Sequence, residues 1–186
     1  MSLKELTKDN HTNAERQKFV KVMFSGKIDP LLYARYLWNQ FPQYELLEVF
    51  AMRHGLLNDI PNIVRSKSIL ADFRELWPEN QDPPEHCRVV KKYLDHLKER
   101  MDDQQKLMAH IYVRHMGDLS GGQMIAKRIP GSGRFYQFDA DVNEYKEKIR
   151  AKINDDMADE AKLVFDFATD LFKELLPYVP EWYHLG

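Results

Sequence analysis

The chain has 186 residues, 44% of them hydrophobic and 30% charged, which fits one globular domain and excludes disordered and fibrous classes. A formal net charge of −2, with Lys and Arg interleaved with Asp and Glu, provides no basic field for nucleic acid. The single cysteine, Cys87, excludes an internal disulfide and a thiolate cluster, fits a reducing compartment, and reads as a small part-buried apolar residue.

Eight glycines and nine prolines leave few tight turns for a sheet of hairpins, so an all-α domain is expected. Helical spacing of Leu3, Leu6, Val20, Met23 and Phe24 predicts a first helix from Leu3 to about Phe24, stopped by Ser25-Gly26. Asp29-Pro30 reads as an N-cap followed by Pro at the first helical position, opening a second helix through Phe41. Pro42 is expected to kink or break it, with Tyr44 to Leu57 continuing as a central buried helix. Further helices are expected over Ile63 to about Trp77, His86 to about Met101, Asp103 through Ile129, Asp141 to about Ile153, and Met157 to Leu176.

The polar, proline-rich stretch 78–84 is short enough to be a loop between helices, so residues 1–186 are expected to form a single domain. The N-terminus lacks the apolar core of a secretory signal, and no run approaches the roughly 20 apolar residues of a membrane-spanning helix. The expectation is a soluble cytoplasmic protein.

Five of the eight glycines fall between positions 117 and 133. Gly131 and Gly133 sit beside Pro130 and read as loop residues, whereas Gly117, Gly121 and Gly122 interrupt a strongly helical run. Each glycine inside a helix costs about 1 kcal/mol relative to Ala, so about 3 kcal/mol calls for a compensating gain. Gly117 and Gly121 share one helix face, where missing side chains admit another backbone or a large flat object. Leu119-Ser-Gly-Gly-Gln123 also spells the signature that ABC-type ATPases present to a nucleotide phosphate. The chain has no Gly-x-x-x-x-Gly-Lys-Ser/Thr loop to accompany it, which disfavours that reading.

The longer run Ala109-His-Ile-Tyr-Val-Arg-His-Met-Gly-Asp-Leu-Ser-Gly-Gly-Gln123 resembles the distal-helix segment of heme oxygenases. Leu3-Lys-Glu-Leu-Thr-Lys-Asp-Asn-His-Thr-Asn-Ala-Glu15 resembles that family's first helix, and Tyr145-Lys-Glu-Lys-Ile-Arg-Ala-Lys-Ile-Asn154 falls at the expected distance downstream. The resemblance implies a multi-helix fold in which heme, at once cofactor and substrate, lies between a proximal and a kinked distal helix. It makes His11 the proximal iron ligand and assigns Lys4, Tyr112, Lys146 and Arg150 to the heme propionates. Gly117, Gly121 and Gly122 would let heme lie against bare backbone, and Asp118 would hold a water network beside the iron-bound oxygen.

The spacings are compatible with these roles. Lys4 and His11 are seven apart, about 10 Å along a helix and within about 20° of one face. Lys146 and Arg150 form a one-turn cationic pair, and Arg114, four residues before Asp118, is placed to pair with it. His110 and His115 read as hydrogen-bonded side chains rather than ligands. The products implied are biliverdin IXα, carbon monoxide and ferrous iron, from heme, O2 and external electrons. With no flavin or dinucleotide fingerprint and no cysteine set, the reductant is expected to be a partner protein such as ferredoxin, docking on Arg16, Lys18 and Lys21. A downstream bilin reductase is a further candidate partner. Two alternatives stand beside this reading: a heme carrier or sensor that does not turn heme over, and a helical hydrolase of the thiaminase kind.

Overall fold

A computed structural model describes residues 1–185, with side chains through Tyr183. Among the described residues the regular structure is entirely helical, as expected. The stretch read as one first helix is three: α1 (Leu3–Leu6), α2 (Lys8–Glu15) and α3 (Lys18–Phe24). Thr7 turns its hydroxyl onto the Leu3 carbonyl at 2.9 Å. Gln17 adopts an extended conformation (φ −62°, ψ 141°) that redirects the chain, so α3 can bury Phe19, Val20, Val22 and Met23.

α4 (Pro30–Arg53) runs through Pro42 without a break, so of the two expected effects, a kink or a break, the break does not occur. The ring removes a hydrogen bond to the Trp38 carbonyl at a cost of roughly 3 kcal/mol. Tyr36 and Leu37 before it and Tyr44 and Leu47 after it are all buried. At roughly 1.5–3 kcal/mol for each large side chain, their burial outweighs that cost. Asp29 caps the start by accepting the Leu32 N–H at 3.0 Å, and Gly55 ends the turn beyond it at φ 70°, a conformation that favours glycine.

The remaining helices are α5 (Ser66–Leu76), α6 (Arg88–Lys98), α7 (Gln104–Leu119), α8 (Gly122–Ile125), α9 (Val142–Arg150) and α10 (Ala158–Leu175). α4 packs on α5, α6 and α7, while α10 packs on α2, α3, α6 and α7. One apolar cluster gathers Leu47, Tyr93, Leu97, Leu107, Ile111, Ile149 and Val164. Another gathers Phe19, Met23, Tyr33, Leu37, Phe73 and Phe135, and Phe167 on α10 touches both. Among the described residues no helix is long and apolar enough to cross a membrane.

Candidate functional site

A cleft of about 780 Å³ lies over α10, with α1 and α2 on one side and α7 and α8 on the other. That size is within the usual range for small-molecule sites. It brings together Lys4, His11, Tyr112, Arg114, Gly117, Asp118, Gly121, Gly122 and Arg150. Lys146 lies one turn before Arg150 on α9 and is not part of the cleft lining.

On the α2 side, His11 is half-exposed, with Nε2 3.0 Å from Glu15 Oε1 and its ring centroid 5.3 Å from that of Phe165. Val20, Met23, Phe24, Phe165 and Phe172 supply apolar surface. At one end of the cleft Lys4 and Arg150 contribute positive charge, and Tyr112 shares a hydrogen bond with Thr7. Burial raises the Tyr112 phenol pKa, partly offset by that bond and by Arg150. Arg150 is ion-paired with Glu147.

The opposite wall is a helix that breaks. α7 stops at Leu119 because Ser120 (φ −107°, ψ −95°) leaves the helical region, so the expected continuation to Ile129 is replaced by the single turn of α8. Gln123 steps into the break: its Nε2 donates to the Asp118 carbonyl at 3.1 Å and to the Tyr136 carbonyl at 2.9 Å, meeting an acceptor the broken helix leaves open. A Cβ at Gly117 or Gly121 would meet nothing within 4 Å, whereas one at Gly122 would stand 2.7 and 2.9 Å from carbons of the Tyr136 ring. Two of the three glycines therefore leave open space. The third makes room for Tyr136, which stacks on Phe135 at 4.3 Å.

Asp118 is buried, and the Tyr44 hydroxyl lies 3.1 and 2.9 Å from its two carboxyl oxygens. Burial pushes its pKa well above the usual carboxylate value, against the opposing pull of Tyr44, Arg65 and Arg114. The expected Asp118–Arg114 pair is not formed. Arg114 directs Nε to the Tyr93 hydroxyl (3.0 Å), Nη1 to Gln40 Oε1 (3.2 Å) and Nη2 to Gln43 Oε1 (2.7 Å). With these acceptors in place, Arg114 acts on Asp118 through its charge alone.

His110 and His115 are fully buried and hydrogen-bonded. His115 Nε2 lies 3.0 Å from Glu48 Oε1, and the Glu48 carboxylate also receives the N–H groups of Arg65 and Ser66 at 2.6 and 3.1 Å. That one carboxylate links α4, the start of α5 and α7. Cys87 is half-buried, and desolvation pushes its thiol pKa up to about 11, as suits an unreactive residue.

Sequence reasoning missed Tyr36, Gln40, Gln43 and Tyr44 on α4, together with Tyr136. Their signal was present: Tyr36, Gln40 and Tyr44 recur every four residues along α4, and buried glutamines need partners.

The sequence pattern of the family described as heme oxygenase matches residues 1–174. A heme oxygenase of Guillardia theta is 29% identical, covering 94% of this chain and 85% of its own length. Heme oxygenase 1 of Synechocystis is also 29% identical, over 91% of this chain and 78% of its own. Heme oxygenase 2 of Macaca fascicularis is 28% identical over 93% of this chain, which spans 64% of that relative's length. The crystal structure of Synechocystis heme oxygenase-1 in complex with heme superposes with a TM-score of 0.87 at 24% identity, covering 98% of this chain and 94% of that one. The heme oxygenase of Leptospira interrogans gives 0.81 at 29% identity, covering 94% and 100%. With its helical fold, its glycine-lined cleft and a family pattern that spans nearly its whole length, this chain belongs to the heme oxygenase family.

Proposed function

We propose that this protein binds heme in the cleft and degrades it oxidatively to biliverdin IXα, carbon monoxide and ferrous iron. The observation that carries the reading is the open space at Gly117 and Gly121 in the same cleft as His11. The residues fit the group: apolar walls for a porphyrin, an imidazole for its iron, and Lys4 and Arg150 for its carboxylates. Bound heme would supply the iron at which dioxygen reacts and is itself the molecule consumed.

The chain's own residues then divide the work. His11 offers a ring nitrogen for the iron, and Glu15, 3.0 Å from its Nε2, orients the ring. Lys4, Tyr112 and Arg150 hold the propionates and so orient the α-meso edge, while Lys146, outside the cleft lining, adds positive charge one turn away. Gly117 and Gly121 keep bulky groups from the oxygen-binding face. Asp118, whose burial favours the protonated form, hands protons through water to that face, and Arg114 and Tyr44 fix its surroundings. Electrons come from a soluble donor of the ferredoxin type meeting the exposed Arg16, Lys18 and Lys21.

Adding hemin to the purified protein and recording the absorption spectrum, followed by reductant and oxygen, tests this reading. A histidine-ligated spectrum that gives way to bilin absorption is the expected result. A stable heme spectrum without bilin would identify a carrier instead. His11→Ala should lose the histidine-ligated spectrum. Asp118→Ala should keep heme and lose bilin formation, and full bilin yield would remove Asp118 from proton transfer.

A further inference from the structure

His110, Arg114 and Asp118 recur every four residues along α7 and so share one face. Arg114 and Asp118 reach the cleft; His110 stands behind them, in a buried chain of hydrogen bonds that the proposed reaction does not use. We propose that Glu160 and His110 are positioning residues for the cleft: the Glu160 carboxylate sets the direction of a hydrogen-bond chain through His110 and Tyr93 that aims the Arg114 guanidinium. The chain itself is a property of the fold, and its consequence for catalysis rests on the heme-degrading reading.

Each link follows from the one before it. Glu160 Oε1 lies 2.8 Å from His110 Nε2, 2.6 Å from His96 Nε2 and 2.6 Å from Arg100 Nε. These contacts lower the carboxyl pKa, His110 first among them, against the pull of burial. An ionised carboxylate only accepts, so His110 Nε2 carries a hydrogen. Desolvation pushes the His110 pKa down to about 4, which keeps the ring neutral and leaves Nδ1 bare. The bare nitrogen accepts the Tyr93 hydroxyl hydrogen at 2.7 Å. The Tyr93 oxygen then turns its lone pairs to Arg114 Nε–H at 3.0 Å, and the guanidinium carbon sits 4.2 Å from the centre of the Tyr93 ring. With Nε fixed, the two terminal nitrogens meet Gln40 and Gln43 on α4.

Without an acceptor at Nε2, the imidazole is free to place its hydrogen on Nδ1, donate to the Tyr93 oxygen and compete with Arg114 for it. His96, His110 and Glu160 also have the spacing of a metal-binding triad. Arg100 lies against the same carboxylate oxygen and already supplies the positive charge there, so hydrogen bonding accounts for the cluster.

The test begins with the heme-free protein, labelled with 15N-histidine and 15N-arginine. The expected spectrum has His110 protonated at Nε2 and bare at Nδ1, and an Arg114 Nε–H protected from solvent exchange. A His110 ring protonated at Nδ1 would overturn the proposal. His110→Leu removes donor and acceptor while keeping bulk, whereas His110→Gln retains one of each. Leu should expose the Arg114 Nε–H to exchange, and Gln should restore its protection. In hemin-loaded protein with reductant, Leu should lower kcat about tenfold with KM unchanged, and Gln should recover most of the loss. Equal behaviour of the two variants would reduce His110 to a packing residue and sink the proposal. Absence of bilin from the unaltered protein would refute the functional reading alone, since the heme-free spectra decide the chain.

Discussion

The three glycines of the distal segment make different demands, and alanine substitutions separate them. Gly117 lies within α7, and Gly121 adopts φ −59°, ψ −30°, both conformations that alanine accepts. Their added methyl groups would meet nothing within 4 Å. Replacing either removes backbone freedom from the unfolded chain and should stabilise the heme-free protein by about 0.5–1 kcal/mol. For a chain of this size that raises Tm by about 1–4 °C. Gly122→Ala forces a methyl to within 2.7 Å of the Tyr136 ring and should destabilise by about 1–3 kcal/mol, the usual cost of overpacking.

Hemin reverses the order for the first two. Their methyl groups would occupy space that the porphyrin needs, and each tenfold loss of affinity removes about 1.4 kcal/mol of ligand-induced stabilisation. Thermal unfolding of the four proteins, with and without hemin, reads both effects. A fall in heme-free Tm for Gly117→Ala would refute the open-space argument. An undiminished hemin response in both Gly117→Ala and Gly121→Ala would show that heme does not rest against that wall.

Asp118→Asn should stabilise the heme-free protein at neutral pH. The folded carboxyl has its pKa raised by burial, so its stabilising contribution is complete below the unfolded value near 3.8 and is lost as pH rises. The gain from Asn should therefore vanish near pH 4 and grow above it by at most about 1.4 kcal/mol per pH unit; denaturant unfolding across pH checks this, and a constant difference contradicts it. His110 has the opposite sign, because its depressed pKa of about 4 makes stability fall as pH drops from about 6.5 toward 4. Glu160, held below its usual range, adds a loss below about pH 4.5. His110→Gln should flatten the upper part of that decline, and an unchanged slope would contradict the assignment. Turnover with reduced ferredoxin should slow several-fold between about 0.05 and 0.5 M salt if Arg16, Lys18 and Lys21 form the docking rim; a flat salt profile would exclude it.

What could be read in advance depended on whether a feature is local. The Asp29-Pro30 start acts within a few residues and appears where expected, whereas periodicity located the helical stretches but not the breaks at Thr7, Gln17 and Ser120 that divide the first and the glycine-bearing ones. Pro42 suggested a break that does not occur, because its effect is local while the burial that overrides it comes from α5, α6 and α7. The Arg114–Asp118 pairing misled in the same way: spacing on α7 was right, but Gln40 and Gln43 arrive from α4, and Tyr93 from α6. Gly122 was grouped with its neighbours because nothing in the sequence reveals that Tyr136, fourteen positions on, fills the space beside it.

The cleft's two sides are fastened unequally. α7 is held by buried bonds through His110, Arg114 and His115, whereas α1 and α2 bury only Leu3 and Ala14. α2 is tied to α10 by an exposed bond from Asn10 Nδ2 to Asp166 Oδ1 at 2.9 Å. Local opening on the α2 side consequently requires far less free energy than global unfolding, and its amides should exchange with solvent well before those of α7. In the proposed reaction, a firmly held wall that keeps the reacting geometry faces a loosely latched one, through which a product no longer flat would depart without disturbing the core.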